Sequence, residues 1–179
     1  MKRTLLAISC LLAATSSNAA LLDGKIIGYE YYYPDLNNLY YSAPPTTVGD
    51  GIEFTGTYSS YYDVASVDIA DNSITFDFYT SSFWSYSIFN GLRLFDINDT
   101  IDAFTSVTID PITTMGGLSQ SNITFDGDNI YVNWQALPFD ENTIVKLNIN
   151  GSSVPEPGSL ALLGIGLAGL GVLRRRKFV

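Results

Sequence analysis

The chain has 179 residues, with 18 acidic side chains against 9 basic ones, no histidine and a single cysteine. Zinc sites built on histidine and hydrolytic triads with a histidine base are thereby excluded. Lys2 and Arg3 open the chain and Arg174, Arg175, Arg176 and Lys177 nearly close it; the middle holds only Lys25, Arg93 and Lys146 among all the acids except Glu156. Such an acidic surface repels nucleic acid and anionic lipid and suits calcium or neutral sugars.

Lys2 and Arg3 precede an apolar run from Leu5 to Ala14, and Ser17-Asn18-Ala19 offers small residues for cleavage. This pattern predicts a secretory signal peptide over residues 1–19, cut after Ala19, because the run is too short to span a hydrocarbon core of about 30 Å. Cys10 leaves with it. The exported chain then has no thiol nucleophile and no disulfide, so its stability must come from an ordinary hydrophobic core.

From residue 20 to 150 the dominant signal is alternation of apolar and polar residues, which predicts strands with one buried face. The expected strands are Ile26 to Tyr33, Gly51 to Tyr58, Val64 to Ile69, Ser73 to Tyr79, Phe89 to Phe95, Thr105 to Ile109, Asn122 to Phe125, Asn129 to Gln135 and Val145 to Ile149. Ile74, Phe76 and Phe78 share one face, as do Ile130, Val132 and Trp134. Ala70-Asp71-Asn72 and Asp126-Gly127-Asp128-Asn129 carry hairpin-turn chemistry. Short strands without helical periodicity predict an all-β fold, an antiparallel β-sandwich, with the jelly roll as one form of it.

Three groups of residues are candidates for chemistry. Asp126, Asp128 and Asn129, together with Asp96 and Asp99, are the densest oxygen clusters and could bind calcium, which prefers carboxylate and carbonyl ligands. They do not form an EF-hand loop, because the twelfth position from Asp126 is Leu137; the same residues also serve tight turns. Tyrosines are concentrated at Tyr29, Tyr31, Tyr32 and Tyr33, at Tyr40 and Tyr41, and at Tyr58, Tyr61 and Tyr62. Tyr29, Tyr31 and Tyr33, at alternate positions, could stack on sugar rings or pack in the core. Glu30, Glu53 and Glu141 could supply the carboxylate pair of a glycoside hydrolase, a geometry that spacing alone does not establish.

Gly151, Ser152 and Ser153 form the expected linker to the last segment. Val154-Pro155-Glu156-Pro157 is followed by an apolar stretch over residues 158–173 and then a basic tail over residues 174–179. Fourteen uncharged residues from Leu160 to Leu173 make about 21 Å of helix at 1.5 Å per residue, a marginal membrane span that the basic cluster assists by snorkelling and orients with its N-terminal side outside. Within that stretch Gly164-Ile165-Gly166-Leu167-Ala168-Gly169 matches a dinucleotide-binding fingerprint in spacing, but it has neither a preceding strand nor an amphipathic helix, so the glycines read as membrane-helix packing.

The tripartite pattern of Pro155-Glu156-Pro157, apolar run and basic tail resembles the PEP-CTERM sorting signal of exported Gram-negative proteins. The resemblance implies passage through the inner membrane and transient anchoring by the C-terminal helix. A membrane-embedded exosortase would then cleave at the Pro-Glu-Pro segment and release the protein to the cell surface or the extracellular matrix. The strings "YYPDLNNLYYS", "VGDGIEFTG", "FNGLRLFDIND" and "ITFDGDNIYVNWQALPFD" are similar to blocks in small exported bacterial proteins of unassigned function. The combined expectation is a non-catalytic surface or matrix protein associated with exopolysaccharide and biofilm. The alternatives are a polysaccharide-active hydrolase with paired carboxylates and a calcium-dependent adhesin or self-assembling surface protein.

Overall fold

Alternation along the sequence becomes alternation of burial. Ile74, Phe76 and Phe78 are buried while Asp77 is exposed, and Val145, Leu147 and Ile149 are buried with Lys146 and Asn148 turned outward. A period of two puts alternate side chains on opposite faces of a pleated strand, so one face loses its water while the other keeps it. The computed structural model describes residues 21–55 and 63–151. The predicted signal peptide with Ala19, the tyrosines Tyr58, Tyr61 and Tyr62, and the sorting segment with Val154, Pro155, Glu156, Pro157, Arg174, Arg175, Arg176 and Lys177 lie outside the described residues. Among the described residues no helix is long and apolar enough to cross a membrane.

Twelve strands follow in chain order: β1 (Ile26–Tyr32), β2 (Leu39–Thr47), β3 (Ile52–Phe54), β4 (Ala65–Ala70), β5 (Ser73–Phe78), β6 (Ser82–Phe83), β7 (Gly91–Asp96), β8 (Phe104–Ile109), β9 (Ile123–Phe125), β10 (Asn129–Asn133), β11 (Pro138–Phe139) and β12 (Ile144–Gly151). They form two five-stranded sheets, β2-β1-β7-β10-β9 and β3-β4-β5-β12-β8, and a two-stranded ribbon of β6 and β11, with every pairing antiparallel. The all-β, antiparallel expectation holds, and the arrangement is sandwich-like. Inward residues of both sheets enter one apolar core, and Tyr29 of β1 meets Phe54 of β3 at 5.2 Å between ring centroids. The described residues of both sheets thus share one apolar core.

Nine predicted strands are found with shifted ends, and three were not predicted. β2 contains Pro44 and Pro45, which lack the N–H that a central strand must donate. It lies at a sheet edge, paired only with β1, and the register slips between Ile27 and Tyr29 where the prolines oppose that strand. β6 and β11 have two residues each, too few for alternation to show. A 3-10 turn, Gln120–Asn122, precedes β9. Gly151, expected in the linker, is the last residue of β12.

Aromatic rings connect the layers. Tyr31 lies 5.6 Å from Trp84, Trp84 5.1 Å from Phe139, Phe139 4.9 Å from Phe78, Phe78 6.2 Å from Trp134 and Trp134 5.3 Å from Phe76. These tilted and edge-on pairs carry the first sheet through the ribbon into the second, in geometries that favour ring quadrupoles.

The two ends of the sandwich differ. At one end Leu21 N donates to Asn72 Oδ1 (2.9 Å) and Leu22 N to the Asp71 carbonyl (3.0 Å), in the β4–β5 turn, where Asp71 adopts the left-handed φ of 50°. The Leu21 side chain lies against Gly151, so the first and last described residues are neighbours. Asp96 N donates to the Asp128 carbonyl and Phe104 N to the Gly127 carbonyl at this end, which gathers the acidic turns. The connections at the opposite end leave Tyr33, Leu39, Tyr40, Phe83, Tyr86 and Ile88 exposed.

Gly91 opposes Asn133 where β7 meets β10, and a Cβ there would press into the backbone carbonyl of Val132. Backbone cannot swing aside as a side chain can. Gly91→Ala is expected to cost about 3 kcal/mol, the upper part of the overpacking range; thermal denaturation of residues 20–153 checks it, and an unchanged Tm would contradict the close approach.

Candidate functional site

The outward face of the first sheet holds the most developed polar arrangement. Because Ile27, Tyr29 and Tyr31 point inward on β1, Gly28, Glu30 and Tyr32 point outward; the same parity turns out Arg93 and Phe95 on β7 and Asn129 and Tyr131 on β10. Register places Ser42, Glu30, Arg93, Tyr131 and Thr124 in one row across all five strands. Neighbouring strands lie about 4.8 Å apart, so the row crosses about 19 Å.

Arg93 is held at the centre of that row. Its Nη1 donates to Glu30 Oε2 at 3.0 Å and its Nε to Asn129 Oδ1 at 2.7 Å, while its guanidinium carbon lies 4.1 Å from the centroid of the Phe95 ring. The Phe95 ring in turn lies over Gly28, at a place where a Cβ could not fit. Tyr32 OH donates to the same Glu30 oxygen at 2.7 Å. Burial and the bond to Glu30 raise the Tyr32 pKa above the ordinary phenol value. Burial works against the charge on Arg93, but hydrogen bonds to Glu30 and Tyr32 outweigh it and the guanidinium pKa is raised. Arg93 and Glu30 remain partly open, at 28% and 18% side-chain exposure. The cluster is a fixed, charge-balanced set of donors and acceptors with rings beside it.

Of the two roles left open for the tyrosines, core packing holds for Tyr29 and Tyr31, and these two are corrected as candidates for sugar stacking. Tyr29 and Tyr31 are 1% and 2% exposed, because they share the inward face with Ile27. The Tyr31 hydroxyl donates to Asn90 Oδ1 in the interior. Tyr33 falls beyond the end of β1 and is exposed, with Tyr40 edge-on at 6.3 Å. Tyr32, left out of those candidates, lies on the open face. The signal that could have found the cluster is a charge in the middle of each of two largely apolar or aromatic strands, Glu30 in β1 and Arg93 in β7.

The calcium candidates are brought together, since the loop at Asp96 and Asp99 lies beside the Asp126 and Asp128 turn. The carboxylates of Asp96 and Asp126 are engaged by groups of their own turns. Asp126 Oδ1 accepts from Asp128 N (2.9 Å), Asn129 N (2.9 Å) and Asn129 Nδ2 (2.7 Å). Asp96 accepts from Asn98 N, Thr100 N and Ile101 N. Among the described residues no group of three or more carboxylates is disposed to hold a metal ion.

These turns make the fold acid-sensitive. The amide N–H of Asp128 lowers the Asp126 pKa, and the amides of Ile112 and Asn37 do the same for Asp110 and Asp35. A lowered native pKa gives stability that is present above the unfolded value, about 3.9, and is lost as pH falls through the native value. Denaturant midpoints are expected to hold steady above about pH 5 and to fall below pH 4; a midpoint unchanged down to pH 2 would contradict this.

The carboxylates considered for hydrolysis occupy three separate elements. Glu30 lies on the first sheet and is paired with Arg93. Glu53, on β3 at the edge of the second sheet, accepts from Gly49 N (3.0 Å) and Ile69 N (2.7 Å). Glu141 is exposed in the turn before β12. Near that turn Thr114, Gly116, Phe139, Asp140 and Thr143 line an open cavity of about 390 Å3. Its Asp140 carboxylate accepts from Asn142 N and from the Thr143 hydroxyl, both at 2.9 Å.

Comparison with known families adds one match. Residues 153–177 match the family model of the PEP-CTERM protein-sorting motif. No curated protein and no solved structure matches the chain. Such a motif implies export, transient membrane anchoring through the C-terminal segment and processing by exosortase, a membrane enzyme.

Proposed function

We propose that this exosortase-sorted protein is a non-catalytic component of the cell surface or extracellular matrix, retained there by exopolysaccharide. The observation that carries the reading is the disposition of the chain around the fold. Leu21 and Gly151 meet at the acidic end, two residues before the sorting motif begins at residue 153, and the fixed polar side chains of Glu30, Arg93 and Tyr32 lie on the outward face of the first sheet. An acidic body disfavours anionic lipid and nucleic acid, whereas exposed rings and fixed polar side chains suit uncharged sugars.

The test is retention of residues 20–153 on the host's own extracellular polysaccharide, with calcium and with chelator. Retention in both conditions is expected. Loss of retention with chelator would transfer the reading to a calcium-dependent adhesin, and sugar release that disappears in Glu30→Gln would transfer it to a hydrolase. Absence of retention in either condition would sink the polysaccharide reading.

A further inference from the structure

We infer that the outward face of the first sheet is a binding track for an uncharged polysaccharide, centred on the Glu30–Arg93 pair and flanked by Tyr32 and Tyr131. The inference rests on the polysaccharide reading above and assigns its site and its class of sugar.

The hydrogen-bond inventory supports it. A guanidinium carries five N–H donors. Glu30 takes one through Nη1, Asn129 another through Nε and Tyr32 a third, leaving two of the five on Arg93. Glu30 Oε2 is shared by Arg93 and Tyr32, and Oε1 is the carboxylate oxygen beside them. A donor edge and an acceptor edge thus stand side by side, the complement of two adjacent sugar hydroxyls. One hydroxyl can accept from Arg93 while its neighbour donates to Glu30. Charge-assisted bonds of this kind are the stronger ones, and the arginine does not have to be ordered on binding because Glu30, Asn129 and the Phe95 ring already hold it.

The same pair selects against acidic sugars. Glu30 balances Arg93, and Asp126 lies behind it through Asn129 Nδ2 at 2.7 Å. The only other described cations are Lys25, which donates to the Thr100 carbonyl at the acidic end, and Lys146 on the second sheet. A uronate would bring its charge to an acidic domain with no unpaired cation on this face. The row from Ser42 to Thr124 extends across the strands for about 19 Å, which suits an extended chain lying over several strands better than a single sugar in a pocket.

Retention of residues 20–153 on immobilised host polysaccharide tests the assignment, with a soluble neutral glucan and a soluble polyuronate as competitors. Arg93→Ala and Arg93→Lys are each expected to weaken retention about ten-fold, Lys because it keeps the charge but loses the planar fork. Tyr86→Ala, at the ring-bearing end, is expected to leave retention unchanged, and the neutral glucan is expected to compete where the polyuronate does not. Circular dichroism and Tm for each variant separate lost binding from lost fold. Native-level retention by folded Arg93→Lys together with loss in Tyr86→Ala would overturn this site while leaving the polysaccharide reading intact. Competition by polyuronate alone would overturn the class of sugar. No retention of the unsubstituted domain would overturn both.

Discussion

Trp134→Ala is expected to lower the melting temperature of residues 20–153 by roughly 10–20 °C. Trp134 is 2% exposed and stands edge-on to both Phe76 and Phe78, at 5.3 and 6.2 Å. Truncating a buried tryptophan removes its transfer free energy and leaves a cavity that neighbours fill only in part, about 3–5 kcal/mol. Single domains have only about 5–15 kcal/mol in total, and for a domain of this size each kcal/mol moves Tm by a few degrees. The position also joins the layers: its amide donates to the Asn90 carbonyl at 2.8 Å, and its ring is the step between Phe78 and Phe76. Trp134→Phe retains a ring and is expected to lose less than half as much. A shift below about 2 °C for the alanine variant would mean that the aromatic path does not hold the sheets together.

Replacing Pro155 and Glu156 with alanine together is expected to abolish C-terminal processing. Intact mass of protein from the native host should show a mature species lacking Arg174 to Val179, whereas the double variant should retain them and stay in the membrane fraction. Two prolines flanking Glu156 disfavour helix there, which suits a segment to be reached by a processing enzyme. Alanines would let the apolar helix extend backwards through the site. A basic cluster behind an apolar run favours the cytoplasmic side for that end. A native mature species that still carries Arg174 to Val179 would refute processing, even if the protein reached the surface.

What was legible in the sequence follows from how local each determinant is. Ile74, Phe76 and Phe78 declare a half-buried strand unaided, and Asp71-Asn72 declares its turn, because both depend on residues a few positions apart. β2 was hidden because Pro44 and Pro45 argue against any strand, and only its place at a sheet edge makes them tolerable. The role of the tyrosines stayed open for a related reason. Alternation groups Tyr29 with Tyr31 but does not say which face meets the second sheet, and the inward face proved to be theirs. Glu30 and Arg93 are 63 positions apart, and Arg93 and Asn129 are 36 apart; that juxtaposition is created by the order β1-β7-β10 and by nothing local. The sorting motif was fully legible, since its three parts are contiguous in the chain.

β12 has a partner on each side, β5 and β8, and runs straight to Gly151 at the threshold of the sorting motif. Tension applied through an anchored C-terminus, against anything gripping the body of the domain, acts along the axis of that strand. The hydrogen bonds to both neighbours are then loaded together in shear rather than peeled one after another as they would be on an outer strand. The fold thus meets its C-terminal segment through an interior strand, which resists pull for as long as that segment is held in the membrane.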